Sequence, residues 1–336
     1  MASKTIARHV CGLTAWFRIP EQGMANYEVL SQASAVLLRH RRKNLLLTSA
    51  HVVAPWDWRH YFPQDWISFV APEHCRYTLE VRDQASGAVV KTVRLDAATL
   101  ESHPSRDVAK LCLGAEVEKD LLLAPASIKE GEVVGGEGAD HHHPSQQQQQ
   151  QQQQQHCYGM RPVELARDEL SLWQPVAVAG HSVIEHHRCE GEGGGVGREV
   201  DLEELFGDAG SEGSDVDDDD DDDDDDGLRP QMPQVFLDCS FCAHTGPQTF
   251  VQTPEVLVDG MCGGGIFTFL DDGDSGSGSG DGAAVCHGIV EGIVPANTPH
   301  DLAGCAAFVE AAELRAWLAT AAPCAAPDAA PQHDGR

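Results

Sequence analysis

Residues 259–267, DGMCGGGIF, set one cysteine inside a run of glycines. A nucleophile is best presented by a tight turn that exposes its side chain and aims backbone N–H groups at the oxygen of the attacked carbonyl. Glycine permits such a turn, and Gly260, Gly263 and Gly264 flank Cys262. A thiol used this way needs a base, and the base needs a group to orient it. His51 stands in LLLTSAHVV (45–53), where an apolar run enters a turn. Asp107 stands in HPSRDVAKLCL (103–113), at the mouth of another apolar run. Cys262, His51 and Asp107 are the residue types that such chemistry would use. The competing structural reading of Cys262 is a small buried hydrophobe.

The segments that must position these residues read as strands. SAVLLRH, NLLLTSA, WISFV, YTLEVRD, VVKTVRL and VAKLCL follow one another closely, with turn residues between them. VAVAG, QVFLDCSF, FVQT, IFTFL and GIVEGIV continue the pattern, and residues 10–19 read as the first strand. Many short strands at regular spacing indicate an all-β barrel or sandwich. A helix is expected only at the end, in AAFVEAAELRAWLA, where Ala307, Ala311, Leu314 and Leu318 form one stripe beside Trp317.

Composition narrows the function. The chain has 336 residues and a formal charge of −30, from 53 acids against 23 bases, which excludes nucleic-acid binding as a default because phosphate contacts need clustered Lys and Arg. Residues 190–226 hold nineteen of the acids against one base, Arg198, and end in the ten-residue Asp run 217–226. Repulsion among those carboxylates argues against packing. The ten glutamines 146–155 after the histidines 141–143, and the tract DDGDSGSGSGDG (271–282), also read as solvated insertions. No stretch approaches ~18 consecutive apolar residues, so no membrane span is expected. Eleven cysteines, an odd number without a dense framework, read as mostly reduced intracellular thiols. Lys4, Arg8 and Arg18 precede the first acid, Glu21, in the manner of a mitochondrial presequence, but the preferred placement is cytoplasmic and not secreted.

The three motifs also carry a resemblance. LLLTSAHVV resembles the histidine motif of chymotrypsin-fold, trypsin-like peptidases, and RDVAKLCL resembles their aspartate motif. GMCGGG is similar to their Gly-Asp-Ser-Gly-Gly-Pro nucleophile motif, with Cys262 for the serine, Met261 for the acid and Gly265 for the proline. The order His, Asp, nucleophile agrees. SQASAVLLRH and LWQPVAVAGHSV resemble the strands that lead into the histidine motif and open the second barrel, and CHGIVEGIV resembles the strand lining the substrate cleft. LLLTSAHVV and FVQTPEVLVDGMCGGGIF are most similar to the HtrA branch, while Gly-x-Cys-Gly-Gly is similar to viral cysteine peptidases of this fold.

The resemblance implies two antiparallel six-stranded β-barrels and a C-terminal helix. Residues 1–125 would carry His51 and Asp107. Residues 126–322 would carry Cys262 and be interrupted at 137–156, 190–232 and 271–282, with a disordered tail at 323–336. The implied activity is that of an intracellular cysteine endopeptidase acting on proteins or peptides, with no cofactor and no metal. In that reading His51 takes the Cys262 proton, Asp107 holds the imidazole, and the N–H groups of Gly260 and Cys262 form the oxyanion hole. Val256, His287 and Glu291 are the expected substrate-contacting positions. Val256 replaces the acid that would favour a basic side chain in the specificity pocket, so a small or apolar one is expected. The alternative is a catalytically inactive homologue that binds partner proteins as a scaffold.

Three further features have chemical readings. Gly273-Asp274-Ser275-Gly276 spells the start of the serine motif, but it lies inside a Gly/Ser/Asp repeat and reads as a chance match. Cys239 and Cys242, with His244, His186, His187 and Cys189, have zinc-ligand types, yet a single CxxC reads better as buried core thiols. Trp56, Trp58, Tyr61, Phe62 and Trp66 follow His51 and read either as an aromatic wall beside the cleft or as a loop packed on the first barrel.

Overall fold

Leu45, Leu46 and Leu47 are all buried, although a strand points successive side chains to opposite faces. Leu46 enters one core, with Leu13, Leu37 and Tyr77. Leu45 and Leu47 enter a second, with Val36, Ala179, Phe267 and Ile289. The same split recurs later in the chain, where Val176 and Val178 face a third core around Phe308 while Ala177 and Ala179 turn to the second. The first and third cores fill two separate sheets, and the second is the seam between them. Central strands covered on both faces require continuous apolar runs, which is how they read in the sequence.

The computed structural model describes residues 2–62, 64–82, 89–122, 160–183, 234–255, 257–269, 283–295, 297 and 301–321. The segments 137–156, 190–232, 271–282 and 323–336 lie outside the described residues, as do Ser275, His186, His187 and Cys189. The first sheet contains β1 (Val10–Phe17), β2 (Glu28–His40), β3 (Lys43–Thr48), β4 (Cys75–Arg82), β5 (Val89–Leu95), β6 (Leu100–Ser102) and β7 (Ala109–Cys112). The second contains β8 (Glu164–Leu165), β9 (Pro175–His181), β10 (Gln234–Thr245), β11 (Gln248–Gln252), β12 (Gly265–Phe269), β13 (Ala284–Ile293) and β14 (Ala306–Glu310). Four α-helices accompany them among the described residues: α1 (Ala2–Ala7), α2 (Ala50–Val53), α3 (Ala115–Leu122) and α4 (Ala311–Thr320).

The second sheet is a closed six-strand barrel, β12-β9-β10-β11-β14-β13, sealed by the antiparallel β12–β13 pair, with β8 added in parallel to β13. The first runs β5-β4-β1-β2-β3-β7-β6 and curls into a seven-strand half-barrel. Its edge strands are joined by a single 3-10 turn, Ala97–Thr99, in place of a closing ladder. The closed barrel has the expected six strands, and the first sheet reaches seven because the three-residue β6 adds a short edge strand. The architecture is all-β and compatible with a chymotrypsin-like two-barrel fold.

Two local expectations also change. WISFV forms a 3-10 turn, Asp65–Phe69, instead of a strand: Ile67 and the following Val70 are buried in the first core while Phe69 is exposed. The terminal helix begins at Ala311, because residues 306–310 are claimed by β14, which pairs with both β11 and β13 to complete the barrel. Helix α4 then buries Ala311, Leu314, Trp317 and Leu318 in the seam.

Polar stitching crosses the same seam. Ser34 on β2 is fully buried; its Oγ donates to Gly260 O (2.7 Å) and accepts from the His181 N–H (2.7 Å) of β9. The Ser34 N–H donates to Cys262 O (2.9 Å), and its carbonyl accepts from Thr48 Oγ1 (2.7 Å). Ser34→Ala removes two side-chain bonds from a site closed to water, and should lower the unfolding free energy by about 2–3 kcal/mol. Urea unfolding checks this, and an unchanged midpoint would contradict the stitch.

Candidate active site

The strand β3 ends at Thr48, and the chain turns through Ser49 into the single-turn helix α2, which carries His51. Ser49 does not cap that helix with its side chain; its Oγ donates across the seam to Val290 O (3.0 Å). Asp107 precedes β7 in a turn and is 2% exposed. Its carboxylate grips His51 at two points, accepting from the backbone N–H on Oδ1 (2.8 Å) and from Nδ1 on Oδ2 (2.6 Å). An Nδ1–H used this way leaves Nε2 as the nitrogen that can take a proton.

Cys262 comes from the other barrel, at the tip of the turn that enters β12. Two hydrogen bonds shape the turn, Met261 N–H to Val258 O (3.3 Å) and Gly264 N–H to Met261 O (3.0 Å). Met261, where the resemblance has an acid, is fully buried in the second barrel's core and needs no charged partner there. Gly260 has φ +93°, and the preceding carbonyl, Asp259 O, accepts from the Val183 N–H (2.8 Å). Because the peptide plane is trans, the Gly260 N–H points away from β9. Among the described residues neither the Gly260 nor the Cys262 N–H has a backbone acceptor, so both are available to an incoming oxygen.

Burial alone would push the His51 imidazole down. The Asp107 hydrogen bond and charge, with the Cys262 sulfur beside the ring, outweigh burial and raise it to about 9. Tyr61 lies over the imidazole, ring centroids 4.5 Å apart and 16° from parallel, while remaining half-exposed. Burial, then the charges of Asp107, Cys262 and Glu291, push its phenol up to about 12, so it stays neutral over the working range. Trp56, Trp58 and Phe62 pack on the first barrel's core, and Trp66 stacks on Phe17 at 4.7 Å. Of the five aromatics after His51, Tyr61 is the one stacked on the imidazole.

The other expected positions lie as follows. Val256 is outside the described residues. His287 on β13 is buried and bonded through Nε2 to Thr268 Oγ1 (2.9 Å), and burial pushes its pKa down. Glu291 on β13 is buried and pairs with Arg106, whose only mark in the sequence is a charge next to Asp107. Cys239 enters the second barrel's core, whereas Cys242, at a bulge in β10, faces Cys305 with sulfurs 3.9 Å apart. Among the described residues no three His, Cys, Asp or Glu side chains converge to hold a metal.

Among the described free thiols, Cys11, Cys75, Cys239, Cys286 and Cys305 are buried, and Cys242 and Cys262 are half-buried. Burial pushes Cys75, Cys239 and Cys286 up to about 12, away from the reactive thiolate. The site therefore combines an accessible thiol, an oriented and easily protonated imidazole, and two donors without backbone acceptors. No protein-family model matches the chain, and no curated protein matches it.

A group held above its ordinary 6.5 stabilises the fold fully below about pH 6.5, and that contribution fades as pH climbs through about 9. The difference in unfolding free energy between wild type and His51→Gln should therefore shrink across this window in urea titrations. A difference that stays flat over the window would contradict the raised imidazole.

Proposed function

We propose that the chain is a cysteine endopeptidase that hydrolyses peptide bonds through Cys262, His51 and Asp107. The observation that carries this reading is the two-point grip of Asp107 on His51, 2.8 Å and 2.6 Å, with Cys262 of the opposite barrel near enough to act on the same imidazole. His51 Nε2 takes the thiol proton, and the sulfur attacks the substrate carbonyl carbon. The carbonyl oxygen, now carrying the negative charge, is received by the Gly260 and Cys262 N–H groups, a donor pair of the kind worth about 3 kcal/mol each to the transition state. The imidazolium gives its proton to the leaving amine, and the C–N bond breaks to leave a thioester. Water, deprotonated by His51, then releases the acid and restores the thiol.

Substrate peptides should be cut by wild type and not by Cys262→Ala, with His51→Ala reducing turnover about 10²–10⁴-fold. Iodoacetamide labelling followed by peptide mapping supplies a second readout. Labelling at Cys262 near neutral pH should fall with His51→Ala, while the buried thiols react slowly in both proteins. Hydrolysis that survives Cys262→Ala would overturn the assignment. Labelling of Cys262 that ignores His51 would favour the inactive scaffold.

A further inference from the structure

One short piece of β13 touches all three turns that carry the candidate residues. Val290 O accepts from the Gly263 N–H (2.9 Å), beside Cys262, and from Ser49 Oγ (3.0 Å), two residues before His51. The Val290 N–H donates to Gly264 O (2.8 Å). The next residue, Glu291, is 8% exposed and reaches the third turn, its Oε1 accepting from the backbone N–H of Asp107 (2.9 Å). Its two oxygens also bind the two arms of Arg106, at 3.1 Å to Nε and 2.8 Å to Nη2. Arg106 is 6% exposed and extends Nη1 to Glu313 on α4 (2.6 Å) and to the carbonyl of Pro247.

We propose that Glu291 is a positioning residue for the His51–Asp107 pair, clamping the Asp107 backbone from the opposite barrel in a fork shared with Arg106. A carboxylate on one barrel thereby fixes the acid of the other, on the same strand that holds the nucleophile's turn. Free rotation of Asp107 would break its two-point grip on His51, and the bond from its own N–H to Glu291 prevents that. Burial opposes the Glu291 charge, and the Arg106 and Asp107 hydrogen bonds outweigh it, holding the carboxyl below its ordinary range. The other charged or titratable groups that act on this cluster are His103 from the β6–β7 connection, Glu310 and Glu313 beside Arg106, and Tyr61 above His51.

The consequence for catalysis rests on the peptidase reading, but the clamp itself is tested without hydrolysis. Glu291→Gln keeps the reach to the Asp107 N–H and loses the charge; Glu291→Asp keeps the charge and loses about one bond length of reach. The His51 pKa is read by NMR titration, and the rate of Cys262 alkylation near neutral pH is read by peptide mapping. Glu291→Asp should lower the His51 pKa from about 9 to about 8 or below and slow alkylation about tenfold, with Glu291→Gln staying closer to wild type. Equal effects, the reverse order, or two variants that match wild type would overturn the proposal. If Glu291→Asp does not fold, Arg106→Lys replaces it, keeping the cation but not the fork. An unchanged His51 pKa in that variant would likewise overturn the clamp. Wild type that shows the raised His51 pKa and the His51-dependent alkylation, yet cuts no peptide, removes the peptidase reading alone.

Discussion

The carbonyl oxygen of Ser34 occupies the space in which a side chain at position 263 would begin. Gly263 also has φ +78°, a left-handed conformation that favours glycine. That close approach lets the Cys262 carbonyl accept from the Ser34 N–H, and so holds the Cys262 turn against the barrel that carries His51. Any larger residue at 263 forces the two halves apart between Cys262 and His51. The seam core and the Ser34 hydroxyl serve the same end, since Val36, Leu38, Leu45 and Leu47 bring β2 and β3 against Ala179, Phe267 and Ile289 of the other barrel.

Charge is buried at this seam as well as apolar area. Arg106, Asp107 and Glu291 are each less than a tenth exposed, and moving such groups out of water is costly. Their mutual hydrogen bonds offset that cost without making the cluster a net source of stability, as is usual for buried ion pairs. What the cluster supplies is geometry. A bidentate guanidinium–carboxylate pair tolerates little angular error, and here its third bond falls on the backbone of Asp107. The same rigidity reaches α4 through Glu313, which ties the last helix of the fold to the site.

Much of this was legible along the chain, where the physics is local. Leu45–Leu47 and Val176–Ala179 read as strands, and the turns carrying His51 and Cys262 are marked by the apolar run that ends before one and the glycines around the other. WISFV has the apolar content of a strand, but Ile67 and Val70 reach the core from a 3-10 turn and no ladder forms. The helix propensity of the Ala-rich residues 306–310 loses to the barrel ladder that takes them first. Ser34 and the Arg106–Glu291 fork have no local mark of their roles, and Tyr61 is marked only as one of five aromatics after His51. Arg106 and Glu291 are 185 positions apart, and only the closing of one barrel on the other makes them neighbours. A lone Glu inside the apolar run GIVEGIV was the one visible sign, since a buried charge requires a partner.

In the proposed reaction a sulfur from one barrel and an imidazole from the other work on the same carbonyl. The protein can be treated with a peptidyl chloromethyl ketone and the adduct solved. One covalent bond to Cys262 Sγ is expected, with the inhibitor's carbonyl oxygen about 3 Å from the Gly260 and Cys262 N–H groups and His51 Nε2 within hydrogen-bond reach. An adduct on another thiol, or a Cys262 adduct whose oxygen points away from those two donors, would contradict it.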